Sequence, residues 1–278
     1  MKKILVTGAS GFIGRYTLDL LQQAGYLICP LRLNLSNPAA IEQQICDFQA
    51  EALLHLAWET TPGQYWHCPT NLDWLKASLS LIETFARGGG KRVVIAGSCA
   101  ERYPTTTYGA CKEALRLSAE AFLKRAQVSF AWGRIFFPYG PYEKQARMIP
   151  SAIRALLSQQ PFQCSSQDHV RDFLFIEDMA RAFVELVQSR VEGLVDMGTG
   201  QGISMGELTL RIARTMNAVD LITLSSSPST VENPAFMLAQ ADRLYKEVGF
   251  CPRYTLQAGL EKTIAWWKQQ NLVSCSTY

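Results

Sequence analysis

Little in this chain points to a membrane, a metal or a nucleic acid. No apolar run reaches the roughly 18 residues that a membrane-spanning helix requires. Met1-Lys2-Lys3 leads straight into a strand pattern without a leader cleavage site, so the chain is expected in the cytoplasm. Charge of one sign is scarce: the formal balance is +3 over 278 residues, which gives no electrostatic footprint for nucleic acid or an anionic surface. Eight cysteines are present, yet no two form a C-x-x-C pair, which argues against a zinc site and against a disulfide scaffold. There is neither an internal repeat nor a low-complexity tract.

What the chain does have is alternation. Apolar runs of strand length at 3–7, 26–31, 52–56, 92–97 and 128–135 separate helical patterns at 13–24, 38–48, 71–87 and 108–125. That order predicts an α/β fold, a parallel sheet with helices on both faces. After Pro138-Tyr139-Gly140-Pro141 the alternation loosens, with helices expected near 148–158 and 177–189. The expected division is a dinucleotide-binding core over residues 1–140 and a smaller, mainly substrate-binding lobe over 141–278. The stretch around 170–200 is expected to contribute back to the core.

The first strand runs into Thr7-Gly8-Ala9-Ser10-Gly11-Phe12-Ile13-Gly14 and then an amphipathic helix. Strand, glycine turn and helix in that order make a pyrophosphate site. The missing side chains let the backbone turn and approach the phosphates, and the helix amino terminus offers free N–H groups and a partial positive charge. The pattern predicts a Rossmann-type doubly wound sheet holding NAD or NADP at Gly8, Ser10, Gly11, Phe12, Ile13 and Gly14. The second strand ends Pro30-Leu31-Arg32 without a carboxylate for the ribose hydroxyls; Arg32 suits a 2′-phosphate and tilts the expectation towards NADP.

Tyr108-Gly109-Ala110-Cys111-Lys112 puts a phenol and an ammonium four residues apart, on one face of a helix. A phenol with an ordinary pKa of about 10 is a poor acid or base near neutrality, but a neighbouring cation stabilises its phenolate. Tyr108 could then exchange a proton with a substrate oxygen as hydride moves to or from a nicotinamide. The strand before it ends at Ser98-Cys99, where a hydroxyl can hydrogen-bond that same oxygen.

Together these motifs make the chain resemble the extended short-chain dehydrogenases/reductases, in the nucleotide-sugar epimerase/dehydratase family. The T-G-x-x-G-x-x-G loop, the strand-end serine and the Y-x-x-x-K pair carry the resemblance. His55-Leu56-Ala57, Asn71, Arg134 with Tyr139-Gly140-Pro141, and Arg171-Asp172-Phe173 with Asp178 extend it. Ala241-Asp242 and Trp266 bring it close to the carboxyl end. The resemblance implies that Tyr108 is the acid/base, Lys112 its pKa tuner and a ribose ligand, and Ser98 the donor to the substrate oxygen. It places Leu56 and Ala57 at the cofactor, and Asn34-Leu35 beside the adenine, with Asn where the family has Asp. Arg171 would face the diphosphate of a nucleotide-sugar, a role suited to a fixed cationic fork, or else pair with Asp172 or Asp178. The family also implies a homodimer through the helices at 71–87 and 108–125.

Three features depart from the family. The catalytic hydroxyl falls on Ser98 or, one residue on, Cys99; Ser98 is preferred because an S–H is a weak donor. The dehydratases carry Thr-Asp-Glu at this strand end, whereas here it reads Ser98-Cys99-Ala100-Glu101, which disfavours dehydration and leaves Glu101 to contact the sugar. The interval from Ser98 to Tyr108 and the region after the second strand are both short for the family.

His55, between leucines in a strand, reads as a packed core residue. Trp58, Tyr65 and Trp66 follow the carboxyl end of a strand, where open α/β sheets bind ligands. Trp58 is accordingly expected against a sugar or base, with anchoring of its own loop as the alternative. The function expected is NAD(P)-dependent oxidation or reduction of a nucleotide-linked sugar, most simply as a 4-ketoreductase of a deoxysugar pathway. An epimerase with tightly bound NAD and a non-catalytic dinucleotide-binding protein are the alternatives.

Overall fold

Each apolar run read from the sequence is a strand in the computed structural model, which describes residues 2–32 and 38–275. In chain order the first elements are β1 (Lys2–Thr7), α1 (Gly14–Gln23), β2 (Tyr26–Leu31), α2 (Pro38–Phe48), β3 (Ala52–His55) and α3 (Thr70–Arg87). Then come β4 (Arg92–Ser98), a 3-10 turn (Cys99–Arg102), α4 (Thr107–Arg125), β5 (Ser129–Ile135), β6 (Phe137–Tyr139) and α5 (Met148–Leu157). Next are β7 (Phe162–Cys164), β8 (Val170–Arg171), β9 (Phe173–Phe175), α6 (Ile176–Gln188), β10 (Gly193–Met197) and β11 (Ile203–Ser204). The chain closes with α7 (Met205–Met216), β12 (Ile222–Leu224), β13 (Phe236–Met237), α8 (Asp242–Lys246) and α9 (Leu256–Cys275).

Two units emerge. The first comprises Met1–Ile135, Met179–Met197 and Ala241–Cys251. Its sheet runs β10-β5-β4-β3-β1-β2, with every neighbouring pair parallel. Strand order reverses at β1, which has β2 on one side and β3 on the other, and such a switch point is where doubly wound sheets bind ligands beyond their carboxyl ends. The short region between β2 and β3 supplies α2 and no further strand among the described residues, so β2 forms the sheet edge.

The middles of the strands next to the switch point, 4–6 and 52–54, are continuously apolar rather than alternating, as a sheet covered on both faces requires. All four residues of β3 are buried, and Ile4, Leu5 and Val6 of β1 have no exposed surface. Leu5, Leu53, Val93 and Trp132 share one core cluster with Phe85 and Leu115 from α3 and α4. Each such side chain contributes on the order of 1.5–3 kcal/mol by leaving water. The phase of α4 is pinned by its cap, because the Thr106 side chain accepts from Gly109 N at 3.1 Å. That phase turns Tyr108 and Lys112 inward together, at 6% and 3% exposure.

The second unit comprises Phe136–Asp178, Gly198–Gln240 and Pro252–Tyr278, and its strands form small sheets, β11-β8-β13, β12-β7 and β6-β9. Ladders this short satisfy few backbone groups, and buried carboxylates take up others. Asp172 accepts from the N–H groups of Thr199, Gly200 and Ala239 and from the Thr199 hydroxyl. Asp178 accepts from Arg253 N and Tyr254 N. Relative to the sequence expectation, the first unit gives up residues 136–140 and also takes in Ala241–Cys251. Among the described residues no helix is long and apolar enough to cross a membrane, and no cluster of metal-ligating side chains occurs.

Candidate active site

The loop after β1 is shaped by what its glycines lack. Gly8 has a φ of +70°, and a Cβ there would lie 2.7 Å from Ala57 N. A Cβ on Gly14 would lie 2.1 Å from the Gly8 carbonyl oxygen, which also accepts from Gly11 N at 2.9 Å. Helix α1 starts without a side-chain cap; Arg15 N donates to Gly11 O and Tyr16 N to Ile13 O, so its first turn is closed by the loop's own backbone. Ser10 and Gly11 are exposed, while Phe12 and Ile13 are partly so. A cradle without side chains ahead of an uncapped helix fits the pyrophosphate of a dinucleotide. Leu56 and Ala57 adjoin it, with Leu56 N donating to Thr7 O and Ala57 N to Thr7 Oγ1, each at 3.2 Å. Arg32 follows β2 and is exposed, whereas Asn34 and Leu35 lie outside the described residues.

Ser98 ends β4 and caps the following 3-10 turn, its Oγ accepting from Ala100 N at 3.2 Å. The same hydroxyl hydrogen-bonds the Tyr108 side chain. Cys99 is buried close by. The Lys112 ammonium donates to Ala96 O at 2.9 Å and lies 4.0 Å from the centre of the Trp58 ring. Burial lowers its pKa to about 7, against the opposing influence of Glu101. Burial likewise raises the Tyr108 phenol well above its usual value, while the Ser98 hydrogen bond works the other way. The lowering that the sequence leads one to expect from Lys112 is thus not what governs Tyr108 in this arrangement. Desolvation is, because a phenolate loses more in a dry setting than a phenol does.

Aromatic rings surround that phenol. Tyr65 stands edge-on to Tyr108 with centroids 4.8 Å apart, Trp66 at 5.9 Å and Trp58 at 6.2 Å. The loop is tied to α4 by Tyr108 N donating to Trp66 O at 3.0 Å. It is tied to α3 by Asn71, which accepts from Trp58 Nε1 and donates to the carbonyls of Tyr65 and Cys68. Below it, His55 bridges Thr7 Oγ1 at 2.6 Å and Ser78 Oγ at 2.9 Å. Burial and the nearby Lys112 charge depress its pKa to about 3, so it is a neutral core residue.

Glu101 departs from the expected sugar contact. Its side chain has no exposed surface. The carboxylate accepts from Arg134 Nε at 2.6 Å, Trp132 Nε1 at 2.8 Å and Ser98 N at 3.2 Å. Gly97 makes room for that indole, since a Cβ there would lie 2.0 Å from Trp132 Nε1. Behind the group, Asp196 pairs with Arg102 at 2.5 Å and Arg134 at 3.5 Å. No local pattern reveals this cluster, because its pairs are bonded across as many as 94 residues. A carboxylate so enclosed braces the strand end that carries Ser98.

In the second unit Arg171 is 5% exposed. Its guanidinium donates to the carbonyls of Val170 and Ala235 and to Asn233 Oδ1 at 2.5 Å, and one nitrogen lies 3.3 Å from His169 Nδ1.

Comparison with known proteins joins these features. The NAD dependent epimerase/dehydratase family matches over residues 4–197. CDP-abequose synthase of Salmonella muenchen is 23% identical over 295 residues, covering 95% of this chain and 97% of the relative. The dTDP-glucose 4,6-dehydratase of Neisseria meningitidis serogroup B is also 23% identical, over 96% of this chain and 93% of its own. The solved UDP-glucose 4-epimerase of Thermotoga maritima with UDP-glucose superposes with a TM-score of 0.84 at 18% identity, covering 97% of this chain and 99% of that one. A dTDP-glucose 4,6-dehydratase of Bacillus anthracis in complex with NAD gives 0.85 at 18% identity, covering 98% of each. The structural likeness shows a shared fold, and the family match shows kinship: this chain belongs to the NAD dependent epimerase/dehydratase family.

Proposed function

We propose that the protein reduces the 4-keto group of a nucleotide-linked deoxysugar, with Tyr108 as proton donor. The observation that carries this reading is that Tyr108 is hydrogen-bonded to Ser98 at the end of β4, while Lys112, one turn on in α4, is buried against Ala96 O and Trp58. Ser98 Oγ holds the substrate oxygen and Tyr108 passes its proton to that oxygen, which becomes a hydroxyl. When bound, the reduced nicotinamide supplies the hydride. Ketone reduction consumes the protonated phenol, the form that burial favours here. The Lys112 charge stabilises the phenolate left behind. The relatives named for CDP- and dTDP-linked sugars support the substrate class.

Gly8, Gly11 and Gly14 would hold the pyrophosphate, with Leu56 and Ala57 alongside. The exposed Arg32 at the end of β2, where no carboxylate stands, supports NADP over NAD. Arg171 would meet a diphosphate only by giving up partners it holds in its own unit, the carbonyls of Val170 and Ala235 and Asn233 Oδ1. Exposed Leu72, Leu117 and Phe122 on α3 and α4 support a homodimer through those helices, which light scattering of the purified protein would measure.

The test supplies NADPH or NADH with nucleotide-linked 4-keto sugars and follows loss of the reduced-nicotinamide absorbance. Consumption with at least one sugar, faster with NADPH, is the expected result. Dinucleotide binding without consumption on any of them overturns the reductase reading. Protein purified with a dinucleotide already bound would point to an epimerase that returns its hydride.

A further inference from the structure

Trp58 touches both members of the Tyr108–Lys112 pair. Its indole face lies 4.0 Å from the Lys112 ammonium, and its ring stands at 76° to that of Tyr108 with centroids 6.2 Å apart. The ring is fixed from behind. Nε1 donates to Asn71 Oδ1 at 2.8 Å, and the ring stacks on Trp74 with centroids 6.2 Å apart. Asn71 is itself 2% exposed and held by the carbonyls of Tyr65 and Cys68. The preceding residue, Ala57, is pinned to Thr7 by its N–H.

Lys112 needs such a partner. At 3% exposure its ammonium has lost water, and its single hydrogen bond among the described residues goes to Ala96 O. Among the described residues no carboxylate hydrogen-bonds it; Glu101 acts on it only at a distance, its oxygens being engaged by Arg134, Trp132 and Ser98 N. The face of an indole attracts a cation, and the attraction strengthens as water is excluded. We propose that Trp58 is a positioning residue for proton transfer, holding Lys112 charged and aimed beside Tyr108 rather than contacting the sugar. This rests on the reading of Tyr108 and Lys112 as the proton-transferring pair.

The consequence is a titration that depends on an uncharged ring. Without the indole, the neutral amine of Lys112 gains over the ammonium, and the Tyr108 phenolate loses a stabilising charge. The other groups facing the pair are Tyr65 from the loop, Cys99 and Glu101 from the 3-10 turn, and His55 from β3. All of them remain when Trp58 is replaced.

The experiment compares Trp58→Phe and Trp58→Leu with the parent in two measurements. The first is the NMR titration of Lys112 in ligand-free, lysine-labelled protein, assigned through Lys112→Met. The second is kcat and KM for the sugar across pH, in both directions. We expect Trp58→Leu to lower the Lys112 midpoint by about half a unit or more and to lower kcat with KM for the sugar little changed. The pH limb for alcohol oxidation should move upward, and Trp58→Phe should restore most of each effect. An unmoved Lys112 midpoint overturns the inference. So does a rise confined to KM for the sugar, or a manyfold tightening of dinucleotide binding with no change in titration. Tyr108→Phe separates the two levels: turnover surviving it overturns the underlying reading, whereas its loss beside an unmoved Lys112 titration overturns only the role of Trp58.

Discussion

Glu101 receives the Arg134 guanidinium at 2.6 Å with no side-chain surface left to solvent. Removing one partner of a buried pair typically costs about 3–5 kcal/mol, and Arg134 would be left with the longer contact to Asp196 at 3.5 Å. Glu101→Ala is therefore expected to lower the free energy of unfolding by that order, measured by urea denaturation, and to reduce turnover by releasing Ser98. Stability within about 1 kcal/mol of the parent would show that the pair is not a brace.

His55 should make the protein acid-sensitive. Its folded pKa of about 3 lies below the ordinary 6.5, so its contribution is full above that ordinary value and is lost as pH falls towards 3. We expect its ring resonances to stay unmoved between about pH 5 and 8, and the acid-side loss of stability to shrink in His55→Gln.

Glu143 acts in the opposite sense. Its Oε2 is enclosed without a hydrogen-bond partner, and burial pushes the carboxyl up to about 8 against the influence of Arg147. A carboxyl whose folded value is raised contributes stability below the ordinary carboxylate range and loses it as pH rises through the folded value. Glu143→Gln should match the parent near pH 5 and exceed it near pH 8, read from thermal unfolding at the two pH values. Parallel losses in both proteins would remove Glu143 as the cause.

Gly14 leaves no room for a methyl group, since the Gly8 carbonyl oxygen stands 2.1 Å from where it would go. Gly14→Ala should cost about 1–3 kcal/mol of stability through overpacking and abolish measurable dinucleotide binding in a fluorescence titration. Undiminished binding would place the pyrophosphate elsewhere.

Information carried by neighbours in sequence was legible. The strand at 26–31 and the helix at 38–48 have the same bounds in sequence and structure, because periodicity and flanking breakers are local signals. The glycine loop and the Tyr108–Lys112 spacing are local in the same way. What depends on distant partners was not. Glu101 reads as a sugar contact until Trp132 and Arg134 close over it, and the hold that Asn71 and Trp74 have on the Trp58 ring has no local signal. Spacing placed a cation near Tyr108 but could not weigh desolvation against it. The two-residue strands β8, β11 and β13 are too short to show any period.

The close fit of Trp132 under Gly97 has an optical consequence. The indole donates at 2.8 Å to the Glu101 carboxylate in a dry core and packs against Gly97, the residue before Ser98, so it sits in a directional electric field. Indole emission shifts in colour and brightness with such a field. The difference in fluorescence between the parent and Trp132→Phe is therefore a label-free gauge of that strand end, able to follow in real time what an arriving ligand does to it.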